Sequence, residues 1–255
     1  MAVTAAAKEY HEKMFPGYRS KFLDTDPEFI ERFDNFAFDE VVNSDDLDGR
    51  TRMTAILAVL IGCQGIDEYR AMLPAALNFG VTPAEAKEML YQGTAYLGIG
   101  RVFPFLHAAN EIIARRGVAL PLPPAARTTA ADRFTAGART LVEIFGDGMK
   151  DFGDSGAPAS RHINRWLTAN CFGDWYTRGG LDLRRREMIT FCFLAAQGGC
   201  EKQLAAHVAA NLRLGNGRDF LIKVVSQCIP FIGYPRALNA LDCVNETAGR
   251  QAQKD

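Results

Sequence analysis

Between Glu187 and Gly215 the chain reads EMITFCFLAAQGGCEKQLAAHVAANLRLG, and four side chains there could do chemistry: Glu187, Cys200, Gln203 and His207. The rest of the stretch is apolar or small. On a helix at about 100° per residue, Cys200 to Gln203 is a step of about 300° and Gln203 to His207 one of about 400°, so thiol, amide and imidazole share a stripe. Imidazole titrates near neutrality and a thiol beside it can ionise, which suits proton transfer or thiol chemistry. The plainer reading of His207 is a hydrogen-bonded structural residue on a helix rich in Ala and Leu. Glu187 could orient or protonate that imidazole, or it could be a carboxylate near a helix N-terminus settled on the helix dipole.

The elements that must position these residues occur twice. LNFGVTPAEAKEMLYQGTAYLGIGRVFPFL in the first half answers LRLGNGRDFLIKVVSQCIPFIGYPRALNAL in the second. Gly80 and Gly215, Gln92 and Gln227, Gly98 and Gly233, and Arg101 and Arg236 each lie 135 residues apart. Upstream, LDGRTR from Leu47 answers LDLRRR from Leu181 at a separation of 134. A constant register over this length is a tandem duplication.

Apolar residues recur at three and four, with no sustained alternation at two, so both copies read as helical. The spacing places helices near 50–63, 67–79, 83–95 and 101–115, and again near 184–198, 201–214, 218–229 and 236–247. Thr82-Pro83-Ala84-Glu85 reads as a capping box with Pro at the first helical position, and Gly80 and Gly215 suit helix C-termini. PEFIERFDNFAFDEVV and SRHINRWLTANCFGDWYTR, one before each copy, are further helical stretches. The expected organisation is an N-terminal repeat over 1–116, a Pro-rich linker with one helix over 117–159, and a C-terminal repeat over 160–255.

The copies differ where chemistry is at stake. His207 is answered by Met72, Gln203 by Glu68 and Glu187 by Met53, so the first copy reads as degenerate, with Asp67 and Glu68 left near its corner.

Composition narrows the function class. A 255-residue chain that is 48% hydrophobic can bury a large core, and a formal net charge of −1 without basic or acidic runs points away from nucleic acid and anionic membranes. No segment approaches the roughly 20 apolar residues of a membrane span, and the N-terminus has no apolar core of signal-peptide length. The six cysteines lack CxxC spacing and sit among apolar neighbours, which fits a reducing, cytoplasmic setting. His11, His107 and His162 form no metal-ligand spacing, so no metal site is expected. YLGIGR is no dinucleotide fingerprint, for it lacks a preceding strand and a third glycine.

The ordered set LDLRRREM at 181–188, QLAAHVAANLRLG at 203–215 and SQCIPFIGYPRALNAL at 226–241, answered in the first half, resembles the carboxymuconolactone decarboxylase family. Alkylhydroperoxidase D-like proteins share this unit. The resemblance covers about residues 26–115 and 160–248, most of the chain. It implies an all-α fold of antiparallel helices, no cofactor, and assembly into homo-oligomers, trimers or hexamers in which repeats of neighbouring chains pack together, with a trimer expected here.

The function it implies is decarboxylation of a small carboxylated lactone or a related intermediate of aromatic catabolism, with His207 as proton donor and Glu187 and Cys200 beside it. Gln203, Arg184 and Arg236 are the candidates for substrate contact, since a guanidinium fork matches a carboxylate. Arg101 and Arg236 recur in both copies, as do Gln92 and Gln227, which favours structural roles for those four. Two alternatives stand beside the lyase. The family's peroxidase branch uses CxxC followed by His; Cys200 matches the first thiol but Gln203 replaces the second, so a peroxide-reducing cycle would need Cys192 or Cys228 to resolve it. The other alternative is a non-catalytic member that holds a small molecule or a partner subunit.

Overall fold

The protein is described by a computed structural model covering residues 2–253. Among the described residues there is no strand, and no helix is long and apolar enough to cross a membrane. The N-terminal segment forms α1 (Ala5–Met14), α2 (Phe22–Thr25) and α3 (Pro27–Asn35), and α3 runs on into a π-helical turn at Phe36–Glu40. The first copy then supplies α4 (Gly49–Gly62), α5 (Ile66–Asn78), α6 (Pro83–Leu97) and α7 (Ile99–Arg115). After an irregular stretch come α8 (Arg133–Phe145) and α9 (Arg161–Trp166), the latter continued by a π-helical segment at Leu167–Trp175. The second copy follows as α10 (Leu183–Gln197), α11 (Glu201–Arg213), α12 (Arg218–Ile232) and α13 (Tyr234–Ala252).

Local chemistry sets these limits. Asp48 and Asp182 cap α4 and α10 by accepting from the backbone N–H of Thr51 and Arg185. Thr82 and Glu85 form the expected capping box on α6. Gly98 and Gly233, at φ 79° and 75°, make the sharp joints into α7 and α13, a conformation in which a Cβ would be strained.

Helices α4 and α10 form the centre. Their first turns line one polar cleft, and their last turns meet at Gly62, where a Cβ would lie 2.8 Å from both the Ala196 Cβ and the Phe193 carbonyl oxygen. They therefore run side by side in the same direction, related by a pseudo-twofold axis. The copies interlock across that axis: α12 packs on α4, and α6 on α10. Two buried pairs tie the crossing. Arg52 Nε donates to Gln227 Oε1 at 2.9 Å, and Arg186 Nη1 donates to Gln92 Oε1 at 3.1 Å. The recurring Arg of LDxRxR and the recurring Gln thus pair with the opposite copy, in keeping with the structural role expected of both glutamines.

The duplication also extends further upstream than the sequence match. In α1 the inward positions are Ala7, Tyr10, His11, Met14 and then Phe15; in α8 they are Gly137, Thr140, Leu141, Ile144 and then Phe145. Both helices pack on the π-helical segment that follows them and on the second helix of their copy. The helix between the copies therefore stands to the second copy as α1 stands to the first.

Candidate active site

Glu187 lies on α10, two residues after the first turn, and His207 on α11. Glu187 Oε2 is 2.6 Å from His207 Nδ1, with Glu187 0% and His207 7% exposed. Asn211, one turn beyond His207, fastens the two helices: its Nδ2 donates to the carbonyls of Glu187 at 3.0 Å and of His207 at 2.8 Å. Asn216 holds Asn211 in turn, donating to its Oδ1 at 2.7 Å. The carboxylate therefore meets the imidazole in a fixed geometry, and the bond at Nδ1 leaves Nε2 as the ring atom free to act. The other oxygen, Glu187 Oε1, is buried without a hydrogen-bond partner among the described residues, an expensive condition for a carboxylate.

Two parts of the chain wall the imidazole. Tyr96 from α6 and Phe145 from α8 each present an edge-on ring 5.4 Å from the imidazole. Behind Tyr96 runs a chain of hydroxyls: Tyr96 to Tyr176 at 2.8 Å, Tyr176 to Thr190 at 2.6 Å, with Gln92 Nε2 donating to Thr190 at 2.8 Å. Burial, with the nearby Cys171, Tyr176 and Glu187 adding to it, holds the Tyr96 phenol well above its ordinary range; burial and then Glu187 do the same for Tyr176. Burial also pushes the Cys171 thiol up to about 12. These groups stay protonated at neutral pH and face the pair as neutral donors and acceptors.

Of the residues singled out in the sequence, the structure brings Glu187 and His207 together and leaves the others apart. Cys200 is not on the helical stripe: it is the residue before α11, at φ −140° and ψ 38°. Its Sγ lies 3.5 Å from the Leu194 carbonyl and 3.6 Å from Gln197 Nε2. Gln203 is exposed and makes no hydrogen bond among the described residues. Arg184 reaches Asn216 Oδ1 through its Nε at 2.6 Å, and so supports the asparagine network from outside. Arg236 packs on Gly198, where a Cβ would lie 2.3 Å from its Nη1, and that nitrogen is buried without a partner. None of these four makes a hydrogen bond to the pair.

Sequence reasoning missed Tyr96, Phe145, Tyr176 and Thr190. No spacing rule links them, since they come from four separate segments, α6, α8, the end of the π-helical segment and α10, brought together only by the fold. Among the described residues no three His, Cys, Asp or Glu converge as a metal-ligand set.

In the first copy Met53 and Met72 take the places of Glu187 and His207, both buried, and the void left beside them is only about 10 Å³. Among the described residues the chain thus holds a buried, hydrogen-bonded Glu187–His207 pair in a duplicated, interlocked helical scaffold.

That class has a family. The carboxymuconolactone decarboxylase family matches at residues 27–111 and again at 162–246, and the chain belongs to it. It is similar to a 4-carboxymuconolactone decarboxylase of Acinetobacter baylyi, 32% identical over 96 residues, which is 38% of this chain and 72% of that relative. A solved structure from Burkholderia xenovorans, provisionally described as a gamma-carboxymuconolactone decarboxylase subunit, shares the fold. Its TM-score is 0.53 and its identity 19%, over 96% of this chain and 98% of that one.

Proposed function

We propose that this chain is a cofactor-free carboxy-lyase acting on a small carboxylated lactone or a related intermediate of aromatic catabolism. The observation that carries the reading is the buried 2.6 Å contact between Glu187 Oε2 and His207 Nδ1 in a member of this family. In such a reaction the bond to the departing carboxylate breaks and its electron pair passes into the conjugated lactone carbonyl. The proton from His207 Nε2 then caps the resulting carbanion, and carbon dioxide leaves. Glu187 orients the ring and offers Oε1 to the substrate or to the returning proton.

The test is turnover of 4-carboxymuconolactone, followed by ultraviolet absorbance and carbon dioxide release. Wild type and Cys200→Ser should turn over while His207→Ala should not; an active His207→Ala enzyme, or an inactive wild type, sinks the assignment.

One observation favours a second reading, a ligand-binding member. The Tyr96 and Phe145 rings lie against the imidazole, and among the described residues no guanidinium bonds to the pair to receive a carboxylate. Tight binding of a lactone without turnover by the wild type supports that reading. Peroxide reduction has less support, because the hydrogen-bonding contacts of Cys200 include no second thiol.

We also infer a ring-shaped homo-oligomer, a trimer in the simplest case. Ile99 and Phe103 on α7, and Tyr234 and Leu238 on α13, are exposed large apolar residues at matched positions of the two copies. One such face on one chain can meet the other face on the next, and a heterologous contact of this kind closes into a ring.

A further inference from the structure

A large cavity lies away from His207. A cleft of about 820 Å³ opens in the first copy, directly outside the place where Met53 and Met72 fill in the lost pair, and it shares Met14, Phe38 and Phe231 with that filled void. Its walls correspond to those of the second copy. Phe15 follows α1 as Phe145 ends α8, Phe38 answers Phe172 at a separation of 134, and Phe231 answers Tyr96 at 135. The first repeat therefore has methionines in place of the Glu187–His207 pair and an aromatic chamber beside them.

The polar residues of that chamber have changed in one direction. Glu68 stands where the second copy has Gln203, and Asp34 where it has Thr168. Neither carboxylate has an ion pair or a hydrogen bond among the described residues. The two arginines on the rim are engaged: Arg70 with Glu111 at 2.6 Å, and Arg116 with Asn78 Oδ1 at 2.9 Å and the Pro74 carbonyl at 3.0 Å. Inside, Phe33 stacks on Phe29 and meets Phe38 and Phe231 edge-on, at 6.1, 5.7 and 6.4 Å between ring centres. Aromatic faces with adjacent carboxylates are the lining that recognises an ammonium group carrying an apolar body.

We propose that this cleft is a second, non-catalytic ligand site, selective for amphipathic cations such as aryl- or alkylamines and closed to the carboxylates expected at His207. Burial raises the Asp34 carboxyl above the ordinary range while the nearby His11 acts against that rise, and Glu68 is exposed, so an incoming ammonium meets two carboxylates that no ion pair engages among the described residues. Met53 and Met72 stand here in place of Glu187 and His207, so the cleft lacks the pair of the second copy and its ligand leaves unchanged. This inference stands on the first copy and survives failure of the lyase reading.

The experiment is calorimetric titration of the full chain with 4-phenylbutylamine and with 4-phenylbutyrate, which share a skeleton and differ in charge. The amine should bind at one site per chain. The double variant Asp34→Asn, Glu68→Gln should weaken it by about tenfold or more, with a thermal melt like that of wild type, and His207→Ala should leave its binding unchanged. The proposal is overturned if the amine fails to bind at millimolar concentration. Binding that is indifferent to the double variant, or a butyrate that binds as tightly and loses affinity in Phe33→Ala, overturns it equally.

Discussion

Glu187 Oε2 sits 2.6 Å from His207 Nδ1 while Glu187 Oε1 is buried without a hydrogen-bond partner among the described residues, so one carboxylate fixes the imidazole with one oxygen and leaves the other unengaged. Glu187→Gln keeps the shape and removes the charge. It should lower kcat on a lactone substrate by about 100-fold, the scale of a positioned acid–base group, with KM changed far less. Steady-state kinetics beside a thermal melt checks this; an unchanged kcat in a folded Glu187→Gln protein leaves the carboxylate a packing role only.

Arg186 is wholly buried and serves both copies, donating to Gln92 Oε1 at 3.1 Å and to Glu88 Oε2 at 3.0 Å. Removing a buried charge strands its partners, so Arg186→Ala should destabilise the chain by about 3 kcal/mol. Because the copies interlock, unfolding in urea should remain one transition in wild type and in the variant. Two separated transitions would show the repeats folding independently.

The sequence carried the helices and the duplication because both are written in local periodicity and capping. The Thr82–Glu85 capping box and the repeated LDxRxR stand in the structure as read. The Glu187 and His207 pair was legible because the two residues lie 20 positions apart on consecutive helices. The Cys200 stripe was misread because the Gly198-Gly199 turn, with both residues at φ 68°, ends one helix and places Cys200 outside the next. Tyr96 and Phe145 could not be read at all: they reach His207 only because α6 crosses to α10 and α8 folds back onto α11, and pairings over such distances leave no trace in spacing. The kinship of α1 with α8 was hidden for a different reason, since only the inward pattern is kept while the residues that fill it have changed.

The buried thiol and phenols near the pair make stability sensitive to alkali. Cys171 is raised from 9.0 to about 12 by burial, so its neutral form is favoured in the folded state. The stability it contributes is fully present below about pH 9, and it declines as pH rises towards 12, when the unfolded chain ionises first. Tyr96 and Tyr176 add a similar loss above about pH 10. Urea unfolding between pH 7 and 11 should be nearly level to about pH 9 and then fall, and Cys171→Ala should postpone the onset.

Gly137 decides whether α8 can lie where Phe145 walls the pair. A Cβ there would stand 1.9 Å from the Thr168 carbonyl oxygen and 2.9 Å from the Gly173 nitrogen, both backbone atoms of the π-helical segment that cannot swing aside as a side chain would. Gly137→Ala must push α8 outward, which should lower stability by about 1–3 kcal/mol and open the Phe145 side of the His207 imidazole to water. Phe145→Ala removes the wall without moving the helix, so the two variants separate packing from enclosure. If enclosure matters for proton delivery from His207, both should lose turnover; if Phe145→Ala keeps full activity while Gly137→Ala loses it, α8 acts through the position of α11 and not through its ring.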